Sequence, residues 1–574
     1  MMHEALPQAL SPIAAEPVVV GDLFGWFSPG LGRRGVILCG ATGFEQLSAH
    51  RPWRELAGRI AATGCATLRF DYPGEGDSGD AGAGSLTAWL GAIRRAVRFL
   101  REEGHVEEVV LVGLRLGATL AVLAAQEGGI DRLALLAPCR TGRGYLREMK
   151  LRARALDAPS DGTTPPEEPG HLSVGGFPIG PGLAAELSAI DIGTVPVAPA
   201  PRILLLGADT NDLAARYAAL GADVTRGPMP GLASLVGNPL FAATPDEAFA
   251  TVVGFVAEGA LARPARQPAP VAPAKIAGAG WREVPVRFGP GLFGVRCRPA
   301  RPAPRAPTIV FLAAGLSAHS GWGRQTTQAA RALAASGVPS LRMDLRGIGD
   351  SPDRPDGTAP LFAADTLDDI RHALDDIEAR GDGPVVLVGT CSGAYAAFHA
   401  ACRDHRVAGA LLANLPRFDW HPDDDLDAVI RSTVGSAATY AAMLGRGATW
   451  RRLAKGEIGV GAIAGVLARR GLRQARRRWT DLFRPGPVGG SVARRVAALR
   501  RRGAHLRLVY GAGDPGLAAL RAQLSRSPAR VARHVGAPVT IIAGTDHNLG
   551  TPEAQARLAA ILRDLIESVA KGRP

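Results

Sequence analysis

Short, uninterrupted apolar runs alternate along this chain with longer stretches whose apolar residues recur at helical spacing. The run Glu108-Val109-Val110-Leu111-Val112 has no polar face, so it predicts a fully buried parallel strand, and Ala118 to Ala125 behind it predicts a helix. Val385 to Val388 followed by Ala394 to Ala401 predicts the same pair again. In coarse outline each half predicts a β-hairpin, a buried strand ending in Gly, an amphipathic helix, a strand ending in Asp, a second helix and then the strand just named. That alternation specifies an α/β fold: a doubly wound, mostly parallel sheet with helices on both faces.

The repetition reaches individual landmarks. Leu23-Phe24-Gly25 answers Leu292-Phe293-Gly294, and Leu68-Arg69-Phe70-Asp71 through Gly74-Glu75-Gly76-Asp77-Ser78 answers Leu341-Arg342-Met343-Asp344 through Gly347-Ile348-Gly349-Asp350-Ser351. Gly113-Leu114-Arg115-Leu116-Gly117 then answers Gly389-Thr390-Cys391-Ser392-Gly393. The offsets are 269, 273 and 276 residues, so the halves stay nearly in register and read as one fold copied. A Pro- and Ala-rich stretch over residues 263–280 predicts an extended linker between a first domain, 1–262, and a second, 281–574. Helical caps are expected at about 140–200 and about 418–503. The Asp-x-x-Gly-x-Gly-Asp-Ser loops read as structural, with glycines for turns and aspartates as caps.

The two pentapeptides carry the chemistry. Small residues two places either side of the centre let a buried strand turn sharply into a helix, holding the central side chain exposed in a strained conformation. Cysteine there is a nucleophile; arginine is not. At this point both halves resemble α/β-hydrolase folds of the serine aminopeptidase-like branch. The first half, with Gly-Leu-Arg-Leu-Gly, Leu135-Leu136-Ala137-Pro138 and Tyr145-Leu146-Arg147-Glu148, resembles hydrolase-like proteins associated with bacterial exopolysaccharide and exosortase systems. The second, with Gly-Thr-Cys-Ser-Gly and Asn414-Leu415-Pro416-Arg417-Phe418, resembles their Cys-containing relatives. The expected fold class is therefore two tandem α/β-hydrolase folds, each with a cap insertion.

A cysteine nucleophile needs a base, because a free thiol of pKa about 8.5 is mostly protonated at neutral pH. In the fold so named, partners arrive in the order nucleophile, acid, histidine, on loops at the carboxyl ends of strands. Residues 505–510 predict a strand whose terminal turn carries Asp514, and Val539 to Ala543 predict the last strand, ending in Gly544-Thr545-Asp546-His547. Cys391, His547 and Asp514 form the expected triad, with Asp546 as the competing acid. Backbone N–H groups of Ser392 and Leu316 are the expected oxyanion donors. His319 is a candidate substrate-lining residue, and Tyr395 and Trp420 read as core.

The first half fails the same test. Asp209 keeps an acid-like position, but Pro230-Gly231-Leu232-Ala233-Ser234-Leu235 has no histidine where the last loop belongs. Arg115 cannot be deprotonated to attack a carbonyl. Two roles remain open for it: an ion pair with Asp209 or Glu45 filling a dead site, or a grip on an anion.

Composition adds constraints. The 574 residues are 47% hydrophobic, enough for two or three soluble domains. Six cysteines are scattered singly without a CxxC pair, which argues against zinc and for a reducing, cytoplasmic compartment. No cofactor is implied. The formal charge is +13, and sixteen basic residues against Glu457 and Asp481 between Arg446 and Arg502 account for all of it. This basic cap, with apolar positions Ile458, Val460, Ile463, Val466 and Leu467 at near-helical spacing, predicts an amphipathic helix over the crevice. Its candidate partners are an acidic acyl carrier protein, an anionic polysaccharide or the inner face of a membrane; a solvated arginine-rich face is the plain alternative. Aromatic residues are 5%, with no recognition module, so nucleic acid is not expected. The expected function is acyl transfer, or ester or thioester hydrolysis, through a Cys391 acyl intermediate, set by resemblance near exopolysaccharide assembly. The alternative is a non-catalytic assembly protein.

Overall fold

The computed structural model describes residues 15–80, 84–156, 171–260, 274–420, 424, 491–524, 527–545 and 547–572. Most of the expected linker and most of the basic cap lie outside these residues.

The first sheet contains β1 (Glu16–Val20), β2 (Leu23–Ser28), β3 (Arg34–Cys39), β4 (Ala66–Phe70), β5 (Glu108–Leu114) and β6 (Arg132–Leu136). A small hairpin in the cap region adds β7 (Leu172–Val174) and β8 (Phe177–Ile179), and the sheet finishes with β9 (Arg202–Leu206) and β10 (Asp223–Gly227). The second sheet uses β11 (Ile276–Gly278), β12 (Trp281–Phe288), β13 (Leu292–Pro299), β14 (Thr308–Leu312) and β15 (Ser340–Met343). Its remaining strands are β16 (Val385–Thr390), β17 (Val407–Ala413), β18 (His505–Gly511) and β19 (Val539–Ile542).

Strand order is β1-β2-β4-β3-β5-β6-β9-β10 in the first copy; in the second it is β11-β12-β13-β15-β14 up to Gly383 and β16-β17-β18-β19 after it. Apart from the added β11, the second order repeats the first strand for strand. In both, an antiparallel hairpin leads into parallel pairings. β5 has every residue after Glu108 buried, as expected of a strand covered by helices on both faces. By compactness the described residues fall into two units, one ending at Gly383 and the other beginning at Pro384.

Within the first unit, the two copies of the Asp-x-x-Gly-x-Gly-Asp-Ser loop are built alike. Asp71 Oδ2 accepts from the Asp77 N–H (3.0 Å), and the Ser78 hydroxyl accepts from the Phe24 N–H (2.9 Å). Asp344 Oδ2 accepts from the Asp350 N–H (2.9 Å), and the Ser351 hydroxyl accepts from the Phe293 N–H (2.9 Å). These aspartates also reach across. Arg342 donates to Asp77 (2.5 Å), while its counterpart Arg69 pairs with Asp350. Arg324 donates to the Ser78 carbonyl and pairs with Asp80, while Arg54 donates to the Ser351 carbonyl (2.8 Å) and pairs with Asp353 (2.7 Å). Trp26 lies edge-on against Phe293, ring centroids 4.7 Å apart. Equivalent residues exchange equivalent contacts, which is the signature of an isologous interface, here between two copies in one chain.

Candidate active site

Both elbows form, and their central residues have nearly the same backbone: φ 54° and ψ −120° at Arg115, φ 54° and ψ −118° at Cys391. A positive φ at a non-glycine residue is strained and persists only where the surroundings over-determine it. They do so here through glycine. A Cβ on Gly113 would sit 2.4 Å from the Ala118 Cα, and one on Gly389 would sit 2.2 Å from the Gly393 carbonyl oxygen, so strand and helix can close on each other only where the side chain is hydrogen. The elbow amides are tied identically: Arg115 N–H to Leu136 O and Cys391 N–H to Ala413 O, both 2.9 Å.

Around Cys391 the second unit assembles a complete set. β18 ends at Gly511, and Asp514 follows in a turn where its Oδ1 accepts from the Gly516 N–H (2.7 Å). The other oxygen, Oδ2, holds His547 Nδ1 at 2.5 Å. The Asp514 side chain is fully buried and that of His547 is 13% exposed. With Nδ1 taken, the buried His547 Nε2 has the Cys391 sulfur beside it and no other hydrogen-bond partner. Burial pushes the His547 imidazole down, but the adjacent Cys391 sulfur and the Asp514 carboxylate outweigh it and hold the ring well above its ordinary range. Cys391 itself is half-buried at the elbow. Burial pushes the thiols of Cys39, Cys139 and Cys297 up to about 12 and that of Cys402 up to about 11.

Ser392 opens the helix Ser392–Arg403, with its N–H one residue past the sulfur. Leu316 lies in the turn after β14, in the other unit. Asp546 lies outside the described residues. Tyr395 packs on His399, ring centroids 4.3 Å apart, and Trp420 lies under the Arg417 guanidinium.

His319 is 4% exposed, and both ring nitrogens are engaged by carboxylates: Nδ1 with Asp344 at 2.8 Å and Nε2 with Asp77 at 2.6 Å. Neither nitrogen is left for a substrate. The sequence placed His319 near a functional turn; the Asp77 partner comes from the other copy, 242 residues away, which no local pattern reveals.

The first copy fills its elbow with charge. Arg115 donates to Glu45 (3.0 Å) and pairs with Glu148, and Arg152 lies 3.5 Å from Glu45. Burial pushes the Glu45 carboxyl up, with Arg115 and Arg152 opposing it. Asp209 is exposed. Glu148 was part of the Tyr-Leu-Arg-Glu landmark, but its reach back to the elbow depends on the helix Gly142–Leu156 folding over the site.

Residues 309–561 match the alpha/beta hydrolase family. Among solved structures, Est1E from Butyrivibrio proteoclasticus with ferulic acid bound is 17% identical, aligning 42% of this chain with 98% of its own at a TM-score of 0.31. Mouse alpha/beta hydrolase domain-containing protein 10 is 15% identical over 50% of this chain and 99% of its own, TM-score 0.28. Pyrococcus horikoshii acylaminoacyl peptidase is 14% identical over 50% of this chain and 41% of its own, TM-score 0.30. No curated protein matches the chain. No helix of the described residues is long and apolar enough to cross a membrane.

Proposed function

We propose that the chain is an acyl-transfer enzyme, working as a hydrolase or acyltransferase on an ester or thioester through a Cys391 acyl intermediate. The observation that carries this reading is the histidine between two partners: His547 is fixed through Nδ1 by a buried carboxylate and offers an otherwise unpartnered Nε2 beside a cysteine held in a strained elbow.

The steps follow from that order. His547 takes the Cys391 proton, and the thiolate attacks the acyl carbon, forming a C–S bond and an oxyanion. The Ser392 N–H stabilises the oxyanion, such a donor being worth about 3 kcal/mol. Collapse breaks the bond to the leaving alcohol or thiol, which takes its proton from His547. Water or an acceptor hydroxyl then gives its proton to His547 and attacks the thioester, releasing Cys391. Asp514 keeps the imidazole in one orientation throughout and stabilises its charged form.

The first copy serves as a non-catalytic partner, because its elbow carries Arg115 already paired with carboxylates. Placement near exopolysaccharide assembly rests on the sequence resemblance of the two elbows. Recognition of an acidic acyl carrier protein, an anionic polysaccharide or a membrane surface rests on the charge of residues 446–502.

Intact-mass analysis after exposure to activated esters and acyl thioesters tests the central claim. Wild type should gain one acyl group on Cys391, and Cys391→Ala should gain none. A protein that turns over no such substrate and forms no adduct would be the non-catalytic assembly protein instead.

A further inference from the structure

We propose that Asn414 is a positioning residue for His547, a role that rests on the reading of Cys391, His547 and Asp514 as the active site. Asn414 follows β17 directly and is wholly buried. Its backbone N–H donates to Val509 O (2.8 Å). Its side chain makes two further bonds: Oδ1 accepts from the Gly511 N–H (2.8 Å), and Nδ2 donates to the His547 carbonyl (2.6 Å). The orientation of the amide is fixed by its partners, since a backbone N–H can only donate and a carbonyl can only accept. One side chain therefore joins the end of the strand that leads to Asp514 and the loop that carries His547.

The first copy supplies the comparison. There the residue after β6 is Ala137, which has the same φ of 46° as Asn414 and the equivalent backbone bond, Ala137 N–H to Leu206 O at 2.7 Å. The left-handed turn at this strand end is thus kept in both copies, and alanine suffices for it. What differs is the amide. The copy with a histidine after its last strand has the clamp, and the copy without one has a methyl group. Asparagine also suits the conformation better than most residues, because its short side chain tolerates positive φ. The first-copy alanine shows that conformation alone does not demand it.

The held atom is the backbone carbonyl of the base itself. Loss of the bond frees the loop to shift the imidazole relative to Cys391, and a misplacement of about 1 Å can cost about 100-fold in rate. Asn414 acts through His547 and does not touch the reacting atoms, so its loss should lower kcat with KM little changed.

The test uses the full-length protein with Asn414→Gly and Asn414→Asp. Glycine accepts φ of 46° without strain, so Asn414→Gly removes the clamp and leaves the turn at ease. Aspartate is nearly isosteric and keeps the acceptor for Gly511, but it sets an oxygen against the His547 carbonyl. Two readouts are needed: turnover of an acyl thioester, and the rate of Cys391 alkylation by iodoacetamide between about pH 5 and pH 9, a window that spans ordinary histidine and cysteine titration.

Both variants should give an alkylation profile that differs from that of wild type and lower kcat by about 10- to 100-fold, with KM little changed. If Asn414→Gly fails to fold, the aspartate variant carries the test. Wild-type profiles and kcat in a folded variant would overturn the role of Asn414 and leave the triad standing. A wild-type protein that forms no acyl adduct on Cys391, together with turnover unaffected by Cys391→Ala, would overturn the triad and the inference with it.

Discussion

The residues at the elbow of the first copy are as constrained as those at the elbow of the second. Glu45 is fully buried and its principal partner is Arg115, so Arg115→Cys would not create a second active site. No histidine follows β10 within the first copy, and removing the guanidinium leaves the buried carboxylate with Arg152, 3.5 Å away, as its remaining cation. The expected cost is about 3–5 kcal/mol of stability, read from a chemical denaturation curve, with no new acyl adduct in the mass spectrum. In the second copy, Asp514→Asn should leave the fold intact and lower kcat by up to about 10⁴-fold, because an amide can stabilise the wrong imidazole tautomer. Turnover at saturating thioester measures it. Cys391, Asp514 and His547 were legible as candidates because each sits at a fixed place relative to a strand end. The role of Asn414 was not. It was visible as part of a landmark, but what its amide bonds to depends on loops that meet only after folding.

At the level of elements, the buried apolar runs and the glycines that end them carried most of the information. Each expected strand of the two elbows is present, and the copied strand order follows from copied runs. The cross-copy contacts were illegible for a physical reason: they are made by arginines and aspartates whose local patterns read equally well as solvated faces or turn caps. The elbows themselves make a sharp prediction. Gly389→Ala would place a methyl carbon 2.2 Å from the Gly393 carbonyl oxygen, and Gly113→Ala would place one 2.4 Å from the Ala118 Cα. Backbone cannot retreat as a flexible side chain can, so each variant should lose about 1–3 kcal/mol, the usual cost of overpacking. Only Gly389→Ala should also lose acyl-adduct formation, because only its elbow carries Cys391. Comparing denaturation midpoints with adduct yields for the pair separates the two effects.

For the molecule as a whole, the reciprocal contacts between copies make the N-terminal half part of the structure that holds residues 281–383 in place. Their centre is titratable. His319 faces Asp77 and Asp344, and Asp77 also faces Arg342. Burial pushes the His319 ring down, but Asp344 and Asp77 outweigh it and hold its pKa well above the ordinary value. For Asp77, burial pushes up, and His319 and Arg342 overcome it and hold the carboxyl well below the ordinary value. The signs follow from proton counting. Above about pH 6.5 an unfolded histidine has lost its proton while folded His319 keeps it, so unfolding releases a proton and stability falls as pH rises toward the folded pKa. The Asp77 contribution is present above the ordinary carboxyl range, about pH 4, and is lost only as pH falls toward its depressed value. The ionic core should therefore stabilise most between about pH 4 and about pH 6.5. His319→Gln should lower the thermal midpoint clearly at pH 6, and the gap to wild type should narrow steadily as the pH is raised into the alkaline range. A gap that stays constant with pH would show that His319 contributes through packing against Phe293, whose ring centroid lies 5.1 Å away, and not through its charge.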